Sequence, residues 1–151
     1  MASVEAGSRQ LHNLARLLKE SGDRELRKEL LRGIRDSNKG TIRKVRANAE
    51  ATLPKRGGLA AKVARSKIAT RSRVSGTNIG VKIRGTDPRV NLNRLDDGKL
   101  RHPVFGNRRN WAEQSVPRGW FSEPIRDDLP RILRDIHQVV AEVADKIQRR
   151  I

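Results

Sequence analysis

The chain contains no cysteine, and aromatic residues make up only 3% of it. The first absence excludes a disulfide framework and any thiolate metal site. No apolar run approaches the roughly 20 residues that a membrane-spanning helix needs. The opening Met1-Ala2-Ser3-Val4-Glu5 has neither a basic stretch nor an apolar run behind it, so a signal peptide is not expected. Apolar residues amount to 35% and charged residues to 34%, respectively below and above the averages for soluble domains. The expectation is a soluble protein made in a reducing cytosol. Its small core of Leu, Ile, Val and Ala would gain stability from partner contacts, which stabilise only the folded form.

What aromatic content there is lies in one place. Phe105, Trp111, Trp120 and Phe121 all fall within 17 residues, in a stretch rich in Pro, Gly and Arg. Aromatic side chains bury the most apolar area and dominate cores and interfaces alike. The window therefore reads either as a docking feature or as a loop cemented onto its own sheet.

Net charge is +17 and uneven. Residues 23–73 carry sixteen basic and five acidic side chains (+11), whereas residues 120–151 carry six of each. A field of this sign attracts nucleic acid, an acidic protein surface or anionic lipid. The bland alternative is that Lys and Arg only keep a small-core protein in solution.

Periodicity predicts a helix over Ser8 to Glu20 and a second from about Asp23 to Thr52, N-capped by Asp23. Leu26, Leu30, Ile34, Ile42, Val45, Ala49 and Leu53 form the apolar stripe of the second helix. Gly33 and Gly40 weaken it by roughly 1 kcal/mol each. On the opposite side, Arg35, Lys39, Arg43 and Arg46 are candidates to face a polyanion, unless that side is simply solvated. Pro54 and Gly57-Gly58 end the helix. Segments 66–74 and 79–84 alternate as strands around the turn residues Ser75-Gly76-Thr77-Asn78, which predicts an antiparallel hairpin with one buried face. Residues 85–98 read as a long loop, and Leu100 to Phe105 as an edge strand interrupted at Pro103. The last helix is amphipathic to Ile151, with Ser122 as N-cap and a kink or restart at Pro130. The fold class is α+β: a long N-terminal helix, a small antiparallel sheet and a long C-terminal helix packed on it. Residues 1–22 would be a helical arm and 23–151 a single domain.

Catalytic chemistry has little to stand on. His12, His102 and His137 are scattered, and no His-x-x-x-His pair, phosphate-binding loop or nucleophile elbow occurs. Asp96-Asp97 reads as a turn, and Asp127-Asp128 suits the positive end of a starting helix. No catalytic, cofactor-binding or metal-ligating residue is assigned, and no cofactor is implied.

The run His102-Pro103-Val104-Phe105-Gly106, followed by Trp111, Gln114, Pro117 and Gly119-Trp120-Phe121, resembles the tail-component family of long-tailed bacteriophages, the tail-completion or head–tail joining proteins of the neck. Leu53-Pro54-Lys55-Arg56-Gly57-Gly58-Leu59 is similar to that family's turn between first helix and sheet. The resemblance covers roughly residues 20–151, and its specific part is the His-Pro-Val-Phe-Gly segment. It implies a structural virion protein without catalysis, assembled in the host cytoplasm as a ring, usually six-fold. Such a ring would contact a tail terminator or tail tube protein on one side and a head-completion or adaptor ring on the other. Double-stranded DNA would pass through its channel, and no membrane is involved. On this reading His102, Pro103, Val104, Phe105, Arg108, Arg109, Trp111, Trp120 and Phe121 are interface candidates. A small basic nucleic-acid-binding protein is the alternative.

Overall fold

A computed structural model describes residues 8–75 and 78–150. In chain order the elements are α1 (Ser8–Ser21), α2 (Arg24–Ser37), α3 (Lys39–Thr52), a 3₁₀ turn at Arg56–Gly58, and α4 (Leu59–Ala64). They continue as β1 (Lys67–Ser75), β2 (Asn78–Thr86), α5 (Leu92–Asp96), β3 (Lys99–Val104), β4 (Asn107–Ser115) and α6 (Ser122–Arg149). The class is α+β, with two separate two-stranded sheets, β1–β2 and β3–β4. The turn at residues 76–77, the first residues of the chain and Ile151 lie outside the described residues.

The chain divides into two compact units. One comprises residues 1–40, 69–84 and 128–151, and the other residues 41–68 and 85–127.

The core of the first unit is aliphatic. Leu14 and Leu18 of α1, Leu26, Leu30 and Ile34 of α2, and Ile132, Ile136, Val140, Val143 and Ile147 of α6 form one buried cluster. These are the positions that the helical period places on one face of each helix. The expected cap of α2 is present: Asp23 accepts hydrogen bonds from the amides of Glu25 (3.1 Å) and Leu26 (3.0 Å). The Leu26 amide, with help from Arg150, holds the Asp23 carboxyl below the usual carboxylate range. A lowered folded-state pKa contributes stability that is complete above the unfolded value and is lost as pH falls through the folded one. Asp23→Asn should therefore flatten the acid limb of a melting-temperature profile followed by circular dichroism. An unchanged limb would show that the cap contributes nothing.

Gly33 has a packing role that its helix propensity conceals. A Cβ built there would lie 2.5 Å from a γ-methyl of Val139, so α2 and α6 approach more closely than any larger residue permits.

The predicted long helix 23–52 is two helices. Asn38, fully buried, separates them. Its amide donates to the Arg35 carbonyl (3.2 Å), and its side-chain Nδ2 to the Ile34 carbonyl (2.7 Å). A side chain that takes over the last carbonyls competes with the next helical turn. Gly33 lies inside α2 and Gly40 inside α3, so neither stands at the break itself. Near the same end of α2, Asp128 is buried on α6 and gripped by Arg131 through Nε (3.0 Å) and Nη2 (2.6 Å). Arg131 also bonds Asp135 (2.5 Å) and reaches the Ser37 carbonyl at the end of α2 (3.3 Å), where a cation is favoured.

Two further expectations about α6 are corrected. It runs as one helix with Pro130 inside, not restarting there. Pro130 and Arg126, whose carbonyl the proline leaves without its helical donor, are both exposed, so water can satisfy that carbonyl. Nor does Ser122 supply the cap. The Asp96 carboxylate accepts the amides of Phe121 (2.8 Å) and Ser122 (3.1 Å), and an anion at this end complements the helix dipole. Asp96 belongs to α5, a helix within the stretch expected to be a loop. Asn91 caps α5, and Leu92 and Leu95 are its buried residues.

Candidate docking hairpin

Lys99 to Ser115 form a second antiparallel hairpin in the second unit, pairing Lys99 with Ser115, Arg101 with Glu113 and His102 with Ala112. The register breaks after Pro103. Pro103 faces Trp111, but Val104 faces Asn107, so Arg108, Arg109 and Asn110 bulge from β4 with no residue opposite. Proline has no amide to donate to a ladder and is tolerated in strands at edges and bulges. The bulge is closed from within: Trp111 Nε1 donates to the Arg108 carbonyl (2.8 Å), and the Asn107 side chain accepts the Arg109 amide (3.0 Å).

Phe105 and Gly106 make the tip, with φ of +50° and +73°. Positive φ at both central positions is the pattern of a type I′ turn, which matches the twist of paired strands. Gly106 takes that conformation freely, whereas for Phe105 it costs about 1–2 kcal/mol. Phe105 is also fully exposed. A large apolar side chain held in a strained conformation and in solvent contributes nothing to its own fold, and such strain concentrates at functional sites.

Every residue of β4 except half-buried Ala112 is exposed. Trp111 retains 46% of its surface, with the Arg101 guanidinium 5.3 Å from its ring centre, a cation–π geometry. Arg94 bonds Glu113 at 3.1 Å. Strand β4 has no covered face and a two-stranded hairpin is marginal by itself, so the hairpin depends on its base. There Val116 donates to the Gly98 carbonyl (2.9 Å), Gly119 to that of Asp96 (2.8 Å), and Asn48 Nδ2 to that of Trp120 (3.0 Å).

The nine interface candidates therefore separate. Phe105, Arg108, Arg109 and Trp111 stand exposed on the hairpin, with His102, Pro103 and Val104 half-buried behind them on β3. Trp120 does not belong with them. It is 1% exposed and sits edge-on to Phe121 at 5.4 Å, as a core residue. Phe121 is half-buried and packs toward Gly85, where a Cβ would meet its ring at 3.5 Å.

The helical cation set separates as well. Arg35 and Arg43 are exposed, and Lys39 is paired with Asp36 at 2.9 Å. Arg46 is corrected: its guanidinium donates to the carbonyls of Ala64 and Ser66 (2.9 Å to the latter), locking α3 to the end of α4. It serves the fold and is not available to a polyanion.

Strand β4 was missed because Asn107 to Ser115 shows no alternation of apolar and polar residues. A strand with both faces in water has no period to read. The signal that was available is the Phe-Gly pair followed by Asn, a turn composition after a strand. Among the described residues, no group of three or more His, Cys, Asp or Glu side chains could hold a metal ion. Likewise among the described residues, no helix is long and apolar enough to cross a membrane. No family model, curated protein or solved structure matches this chain.

Proposed function

We propose that this chain is a structural protein of the bacteriophage neck, a subunit of a ring, hexameric as in the family it resembles, that completes the tail and joins it to the head connector in the virion. One observation carries the reading. The segment with the specific resemblance, His102 to Gly106, is the outgoing strand and tip of an exposed hairpin that ends in a strained, solvent-facing Phe105. Ring closure requires each subunit to offer one patch to a different patch on its neighbour. Interface centres favour Trp, Phe and Arg, and Phe105, Trp111, Arg101, Arg108 and Arg109 supply these on one element. The protein works by being held between copies of itself and the adjoining tail and head-completion rings.

The test is Phe105→Gly. Glycine relieves the positive φ, so folded stability should stay within about 1 kcal/mol of the parent. Circular dichroism would check that retention. Particles assembled with the variant should accumulate filled heads and finished tails that do not join, visible by negative-stain microscopy. Joined, infectious particles at normal yield would overturn the reading.

A further inference from the structure

We infer that the outer face of the β1–β2 sheet is a binding surface for the phosphate backbone of double-stranded DNA. The two strands together, Lys67 to Thr86, contain five basic residues and no acidic one. Within the first unit, Arg71 on β1 and Lys82 and Arg84 on β2 are exposed, while the alternate residues Ser72, Val81 and Ile83 are partly buried. The inner face is accounted for: Ser72 Oγ donates to the Leu31 carbonyl (3.4 Å), and Val81 packs against the aliphatic cluster. Among the described residues no carboxylate neutralises Arg71, Lys82 or Arg84. The exposed basic residues of the helices are often paired instead, as Lys28 is with Glu25 (3.1 Å), Lys39 with Asp36 and Arg149 with Asp145 (2.7 Å).

The chemistry of this face selects its occupant. A protein partner needs aromatic or apolar anchors at the centre of the contact, and all four aromatics of the chain lie between residues 105 and 121. A single strand needs aromatic platforms on which its bases stack, and these are missing for the same reason. What remains is a row of long cationic side chains repeating every two residues, about 6.7 Å apart along a strand. That row suits the evenly charged backbone of a duplex, bound without base readout. Arg71 and Arg84 can each grip a phosphate through two N–H groups, and Lys82 acts as a point charge. The site stands whether or not the chain is a neck protein.

The experiment uses the full chain and a short random-sequence DNA duplex, with binding followed by fluorescence anisotropy over a series of salt concentrations. Each lost phosphate contact lowers the slope of log affinity against log salt by about 0.9. The triple variant Arg71→Gln, Lys82→Gln, Arg84→Gln should therefore lose about 2.7 of that slope. A control triple of equal charge change on exposed helical positions outside the candidate polyanion set, Arg24→Gln, Arg32→Gln and Arg134→Gln, should lose far less. Circular dichroism establishes that both triples remain folded. If the sheet triple unfolds, Arg71→Lys, Lys82→Arg, Arg84→Lys keeps the charge and should keep the full slope. Equal losses in the two charge-removing triples would overturn the assignment, as would tighter binding to single strands than to duplex. Binding to phosphatidylserine vesicles without binding to duplex would overturn it as well.

Discussion

Replacing Trp120 with alanine is expected to cost about 3–5 kcal/mol, the range for truncating a large aromatic in a packed core. That is a large part of the 5–15 kcal/mol by which ordinary domains are stable. The residue is 1% exposed and in edge contact with Phe121, so nearly all of its surface would become cavity. Its indole Nε1 is buried with no hydrogen-bond partner among the described residues, which gives the substitution series an internal check. Trp120→Phe also loses volume but removes the orphan donor, whose burial is itself a penalty of about 1–3 kcal/mol. The phenylalanine variant should therefore lose well under half as much as the alanine variant. Urea unfolding monitored by far-ultraviolet circular dichroism would measure both. If Trp120→Ala left stability intact yet abolished particle joining, the residue would be a docking anchor and its core assignment wrong.

The second large effect is expected at Arg131. Asp128, whose side chain is 3% exposed, is held by a two-point contact from the Arg131 guanidinium, which itself retains 32% exposure. The guanidinium bonds to Asp128 and Asp135 raise its own pKa further, so it stays charged throughout. Arg131→Ala strips Asp128 of that partner. The expected loss is about 3 kcal/mol, at the low end for breaking a buried pair because solvent reaches the arginine. A double change, Arg131→Met with Asp128→Leu, should recover most of the loss, because apolar residues of similar volume carry no desolvation cost. Chemical denaturation of the parent, single and double variants separates the outcomes. A double variant no better than the single one would mean that the network is held chiefly by something other than this pair.

How far the fold could be read from sequence follows from what each residue faces. The helical stripes of α2 and α6 and the strand alternation of β2 were legible because one side of each element is buried and the other wet. The capping role of Asp23 was legible because it is local, a carboxylate two and three residues from the amides it receives. The corresponding role of Asp96 was not, since it serves amides 25 and 26 residues away. Asn38 was equally opaque: a buried polar residue that divides a helix carries no periodic mark. For the candidate surfaces, the concentration of aromatics singled out one stretch but could not sort Trp120, turned inward, from Trp111, left in solvent. The cationic candidates were placed on the predicted long helix because its basic side chains fall opposite the apolar stripe. On the helices Lys39 is neutralised by Asp36 and Arg46 is consumed by carbonyls, whereas among the described residues no carboxylate opposes Arg71, Lys82 or Arg84. Counting charge by segment does not reveal which charges cancel.

The seat that Gly33 offers to Val139 ties two distant stretches of the gene together. An added methyl at position 33 would overlap the Val139 side chain, and a smaller residue at position 139 relieves that overlap. Descendants of this chain should therefore change the two codons jointly or leave both alone, and a hybrid that takes α2 from one lineage and α6 from another inherits a mismatched pair.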